Sequence, residues 1–165
     1  LLFQMEELER THDIIIIDTS TGIHRMARQF AVSADQILLV TIPETTAVAD
    51  AYATVKALAG PETPPIDLIV NRVEHSEQGR TISARLQQTS KMFLNHPLGY
   101  AGHISHDACV TQSVAKRSPF VIESPTSTAA VDVVQLARRI VSRAGSPSSF
   151  QSYFSRFHSG QRRTA

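Results

Sequence analysis

The sequence has no tryptophan, only one cysteine and few aromatics, 6% of its 165 residues. A lone thiol excludes an internal disulfide, so the fold must be held by its core rather than by covalent staples. Cys109 lies close to His106 and Asp107, which invites a thiol-nucleophile or metal-ligand reading. A small apolar residue on a helix beginning near Asp107 explains it without special chemistry, and a free thiol suits a reducing cytoplasm.

Long hydrophobic runs are also missing. Nothing approaches the roughly 20 apolar residues that a membrane-crossing helix needs, and no basic-then-apolar leader opens the chain. Charge of one sign is lacking as well: 16 Lys and Arg face 15 Asp and Glu. No basic face interleaved with aromatics suggests a nucleic-acid partner, and no Ser-His-Asp or Cys-His signature announces itself. His103 and His106 straddle a strand end rather than share a helical face, and no second cluster completes a metal-ligand set with Asp107. The exception to charge balance is the stretch after Ser142, where Arg143, Arg156, Arg162 and Arg163 meet no carboxylate.

What is present alternates. Asp13 to Asp18 (DIIIID) has the β-branched composition of a central parallel strand covered on both faces. Gln36 to Thr41 (QILLVT) and Ile66 to Asn71 (IDLIVN) are further short strands, and Leu98 to Ile104 (LGYAGHI) is a weaker one. Thr45 to Leu58 between them begins with hydroxyl capping candidates and stops before Gly60 and Pro61, which predicts a helix. Ile82 to Leu94 is a second helix, halted at Asn95-His96-Pro97. Asp107 to Lys116 and Thr126 to Arg143 are two more, with a turn at Ser118-Pro119 and a loop through Ser124-Pro125 between them. Strands separated by helices predict an α/β fold, a mostly parallel sheet with helices on both faces. One domain over residues 1–144 is expected, then a linker at 145–149 (GSPSS) and a separate element over 150–165.

In such sheets ligands bind beyond the carboxyl ends of the strands, here DTSTG, TIPE, NRV and SHD. An apolar strand ending in Asp18 and running into Thr19-Ser20-Thr21-Gly22 has the form of a strand that fixes a carboxylate beside magnesium. The alternative is an aspartate that caps a following helix. Asn71 likewise reads either as a turn cap or as a base-pairing amide.

From Asp13 to Ile140 the segments DIIIIDTSTGI, ADQILLVTIPETTAVADAYATVKAL and NRV, in this order, resemble the MinD/ParA-type deviant Walker ATPases, especially the FlhG-type flagellar-number regulators. The resemblance implies a P-loop NTPase-like fold, ATP and Mg2+ as cofactors, an ATP-dependent homodimer, and a protein partner in flagellar or positioning machinery. It implies that Asp18 serves catalysis and holds magnesium through a water, and that the backbone around Gly22 senses the terminal phosphate. Asn71 would read adenine with Arg72 alongside, and Asp107 would border the base. Where the family has Ile-Pro-x-Asp, this chain reads Ile104-Ser105-His106-Asp107, so the proline is replaced.

The phosphate-binding loop itself, a glycine-rich turn with Gly-Lys-Ser/Thr entering a helix, does not occur in the chain. By the resemblance it would precede Leu1. The opening LLFQMEELERTH reads as the end of a helix, and the expectation is a piece of a complete ATPase whose isolated sheet exposes an edge and binds nucleotide weakly. A non-catalytic adaptor with a ParA-like surface is the rival reading.

In the tail, Phe150, Tyr153, Phe154 and Phe157 fall at i, i+3, i+4 and i+7, gathering aromatics on one helical stripe beside Arg156. Such an amphipathic helix suits an anionic membrane surface, so a cytoplasmic protein peripheral to the inner face of the cell membrane is expected. Packing onto the domain's own helices, or onto a protein partner, is the alternative.

Overall fold

A computed structural model describes residues 7–8, 10–19, 25–61 and 63–143. The elements are α1 (Arg25–Ser33), β1 (Ile37–Thr41), α2 (Thr45–Leu58), β2 (Ile66–Val73), α3 (Ser76–Leu94), β3 (Leu98–Ser105), α4 (Ala108–Lys116), α5 (Phe120–Glu123) and α6 (Thr128–Arg143). The linker, the aromatic tail with Phe150, Tyr153, Phe154, Arg156 and Phe157, and Gly22 all lie outside the described residues.

The three strands form a parallel sheet in the order β1-β2-β3. β2 is central, and Ile66 to Val70 are buried without a break, because helices cover both of its faces. Alternation along the strand sends Ile66 and Leu68 to one side and Ile69 to the other. On the first side they pack with Val55 and Leu58 of α2, Leu86 of α3 and Leu98 of β3. On the second side Ile69 meets Ala101 of β3 and Leu136 of α6. Burying one such aliphatic side chain contributes about 2 kcal/mol.

The boundaries have local causes. α2 runs over Thr45–Leu58 as its composition predicts, but its N-cap is Glu44 and no side chain caps it, so the hydroxyls of the first turn do not play the expected part. α3 starts six residues earlier than its apolar spacing indicates, at Ser76 rather than Ile82. The added turns carry small and polar residues because Gly79 packs against His103 and Tyr100, where a Cβ would sit 3.0 Å from each. α3 ends at Asn95, which adopts the left-handed conformation (φ 49°) common just past helix ends. The loop between α4 and α6 contains the short helix α5, which the Ser118-Pro119 and Ser124-Pro125 signals hide.

One expectation fails. Asp13 to Asp18 is not a strand of this sheet: residues 14–19 make no ladder, and Ile16 is 84% exposed. Its composition states a preference for burial between two layers, but a strand also needs a partner, and none of β1, β2 and β3 pairs with it. Near β1 the second face is thinly covered. Leu38 and Val40 are 36% and 55% exposed, and α6 leaves Val134 and Val141 open on the flank away from its β3 contacts.

The tightest approach in the sheet lies at the amino end of β2. Asp67 is buried, accepts a hydrogen bond from Gln36 Nε2, and sits over Gly99 of β3. A Cβ on Gly99 would come 1.5 Å from Asp67 Oδ1. Gly99→Ala is therefore expected to destabilise the chain by about 3 kcal/mol. Gly60→Ala, whose Cβ would meet nothing nearer than 3.6 Å, is the control. Urea unfolding followed by circular dichroism measures both, and equal midpoints would contradict the packing described.

Candidate functional site at the carboxyl ends of the strands

β2 ends in a distortion. Asn71 pairs with Ile104 and Val73 with Ser105, so Arg72 is an extra residue, a bulge. Arg72 has φ 58°, a left-handed conformation unusual for a residue with a Cβ. Asn71 supports it locally: its Oδ1 accepts a hydrogen bond from Arg72 N at 2.8 Å. That bond fixes the side-chain amide with its oxygen against the main chain. The exposed Arg72 side chain leaves from the same turn.

β3 exits beside it. His106 N donates to Val73 O at 2.8 Å, strapping the loop after β3 to the end of β2. His106 Nδ1 lies 3.8 Å from Glu74 Oε1, an exposed pair that adds little to stability. Further back on β3, His103 Nδ1 is 3.2 Å from the Tyr100 hydroxyl. Burial raises the Tyr100 pKa, with Arg80 and Arg139 opposing the shift, so the phenol stays protonated near neutrality. The two histidines thus have separate partners.

Asp107 is held by two helices. Its Oδ1 accepts from Cys109 N at 3.0 Å, capping α4, and its Oδ2 accepts from Ala129 N at 3.4 Å in the first turn of α6. The hydrogen bond from the Cys109 amide is the main cause of a pKa lowered from the ordinary 3.8, with the α6 amides adding to it. Cys109 is half-buried in the first turn of α4, a small side chain in a helix.

The structure therefore brings Asn71, Arg72 and Asp107 to one edge of the sheet, on adjoining strand exits. Asp18 lies in the segment 14–19, which joins no strand of the sheet, and is exposed. At the end of β1, the Thr41 hydroxyl is buried with no hydrogen-bond partner among the described residues. A depression of about 400 Å³, lined by Pro65, Asp67, His96 and Gly99, lies at the amino ends of β2 and β3, the side opposite these loops.

One residue of this edge escaped the sequence reading. Asp132 Oδ2 accepts from both Ser105 N at 2.9 Å and Ser105 Oγ at 2.7 Å. A single carboxylate in the apolar stretch TAAVDVVQLA is the signal that could have found it, because such a group needs partners if it turns inward.

A profile of the family "Cellulose biosynthesis protein BcsQ" matches residues 1–141. The chain belongs to this MinD/ParA-like family. Among curated relatives, this BcsQ-family chain is 29% identical over 141 residues to the antiactivator FleN of Pseudomonas aeruginosa, covering 85% of the chain and 50% of that protein. It is 28% identical over 132 residues to the flagellum site-determining protein YlxH of Helicobacter pylori, covering 79% and 45% respectively. It spans about half the length of these relatives. The cell division ATPase MinD of Pyrococcus furiosus shares the fold, with a TM-score of 0.68 at 22% identity over 87% of the chain and 57% of that structure. No helix among the described residues is long and apolar enough to cross a membrane.

The capping role of Asp107 predicts an acid-dependent loss. A carboxylate whose folded-state pKa lies below its unfolded value stabilises the fold at neutral pH. That contribution is lost as the pH falls below about 3.8 and through the lowered value. Unfolding midpoints of the wild type and Asp107→Asn should differ at pH 7 and draw together as the pH falls below about 3.8; a gap that stays constant would contradict this assignment.

Proposed function

We propose that this chain is the base-binding and partner-facing part of a MinD-type ATPase. The whole protein would dimerise around ATP, attach to the inner face of the cell membrane, and regulate the position or number of flagella. Division-site or cargo positioning is the same reading with a different partner.

The observation that carries it is the pair of shaped strand exits at the carboxyl edge of a parallel sheet. In such folds this edge receives the nucleotide. The anchored amide of Asn71 offers its Nδ2 donor, and its oxygen keeps a second lone pair for an adenine amino group. Arg72 adds a cation at the same turn, and the loop at Asp107 borders the opposite side of the base. The buried Thr41 hydroxyl is a further polar group at this edge.

Asp18 would hold Mg2+ through a water and serve hydrolysis, and the backbone at Gly22 would sense the terminal phosphate. When bound, the metal neutralises charge developing on the phosphates. The tail would insert Phe150, Tyr153, Phe154 and Phe157 into the bilayer interface while Arg156 meets anionic headgroups. Support for a flagellar role comes from the similarity to YlxH, named for flagellum site determination.

Two measurements test this reading in a protein that joins the chain to its phosphate-binding loop. Asp18→Ala should lower ATP turnover on the order of 100-fold. Unchanged turnover would remove Asp18 from the magnesium site, whereas no turnover in the unsubstituted protein would favour the adaptor reading, in which partner capture ignores nucleotide. Separately, removing residues 150–165 should abolish sedimentation with vesicles containing anionic lipid, and equal sedimentation with and without the tail would remove the membrane role.

A further inference from the structure

We propose that Asp132 is a positioning residue for the loop Ser105–Asp107, clasping the end of β3 to α6 so that the purine-facing loop keeps one geometry. This rests on the nucleotide reading above, and deepens it with a group that touches no ligand itself.

The clasp has two halves that run in opposite directions. From α6, one oxygen of Asp132 accepts both the amide and the hydroxyl of Ser105, at 2.9 and 2.7 Å. From the loop, Asp107 reaches back to the Ala129 amide at the start of α6 while also holding the Cys109 amide of α4. The helix and the loop thus each supply a carboxylate to the other.

The rest of α6 explains why the clasp is well placed. Arg139, seven residues after Asp132 and so on the same flank, donates from Nη1 to Ala101 O of β3 at 3.0 Å. Between them Leu136 is buried over Gly102, whose absent Cβ would lie 2.9 Å from Leu136 Cδ2. Two polar anchors and one apolar contact therefore fix the helix along β3, and the anchor nearest the site is Asp132.

The chemistry at position 105 fits this role. A proline there would stiffen the strand exit by fixing φ, but it has no amide hydrogen to donate. Serine gives up that stiffness and supplies two donors to one carboxylate. Charge-assisted hydrogen bonds from a helix take over what a ring would do covalently.

The test uses the 165-residue chain with adenosine as the probe, because a nucleoside reports on the base loop without needing a phosphate cradle. Amide exchange and adenosine titration, both read by NMR, are compared in wild type, Asp132→Ala and Asp132→Asn. Asp132→Ala should speed exchange at Ser105 to Cys109 and leave α6 protected beyond Val133. It should also weaken adenosine binding roughly tenfold. Asp132→Asn keeps an acceptor oxygen and should recover most of both effects, which a charge effect alone would not produce. Unchanged loop exchange in Asp132→Ala, or loss of protection throughout α6, overturns the clasp. Adenosine that binds wild type and Asp132→Ala equally overturns the positioning role alone. Adenosine that shifts no amide near Asn71 in the wild type overturns the nucleotide reading and the positioning role together.

Discussion

The structure depends on one strand being dry on both faces. Ile66 to Val70 of β2 have no solvent side, so every backbone amide and carbonyl there must be satisfied by a neighbouring strand. β1 and β3 do this in parallel, and parallel pairing forces the chain to cross back over a face each time. α2 and α3 are those crossings, which is why they share one face and one core with Ile66 and Leu68. α6 then closes the other face over Ile69.

That requirement also fixes where chemistry can sit. All three strands run the same way, so their exits fall on one edge and their entrances on the other. The entrances are spent on tight packing, with Asp67 against Gly99 and Pro65 O receiving Ile37 N. The exits are where register is given up: the bulge at Arg72, the strap from His106 to Val73, and the carboxylates that tie the last loop to α6. A left-handed arginine is an unfavourable conformation, and the Asn71 side chain partly offsets it by accepting the Arg72 amide.

How much of this the sequence reveals depends on whether the deciding interaction is local. α2 is bounded by residues next to it, and its limits agree with Thr45 and Leu58. The apolar runs of β1, β2 and β3 announce themselves by composition. DIIIID announces itself equally loudly, yet pairing is a property of two segments, and composition describes only one. The start of α3 is hidden because its first turns carry Gly79 and polar residues, whose fitness comes from His103 and Tyr100 across the interface. Asn71, Arg72 and Asp107 are found by their place after strands. Asp132 is not, because its partner Ser105 lies 27 residues away and no spacing rule links them.

The described edge is also chemically lopsided. On the proposed reading Asn71 and the loop at Asp107 face a flat, neutral base, and Arg72 is a cation that leaves the same turn. A triphosphate carries several negative charges and binds well only where amides and a lysine converge on it. Asp107 cannot help, since its lowered pKa keeps it anionic at neutral pH. Recognition of a base and neutralisation of phosphates are thus separable tasks, and on the proposed reading the residues at these strand exits serve the first. On that reading, one side-chain amide and one cation attract nucleotide only weakly without a phosphate cradle beside them.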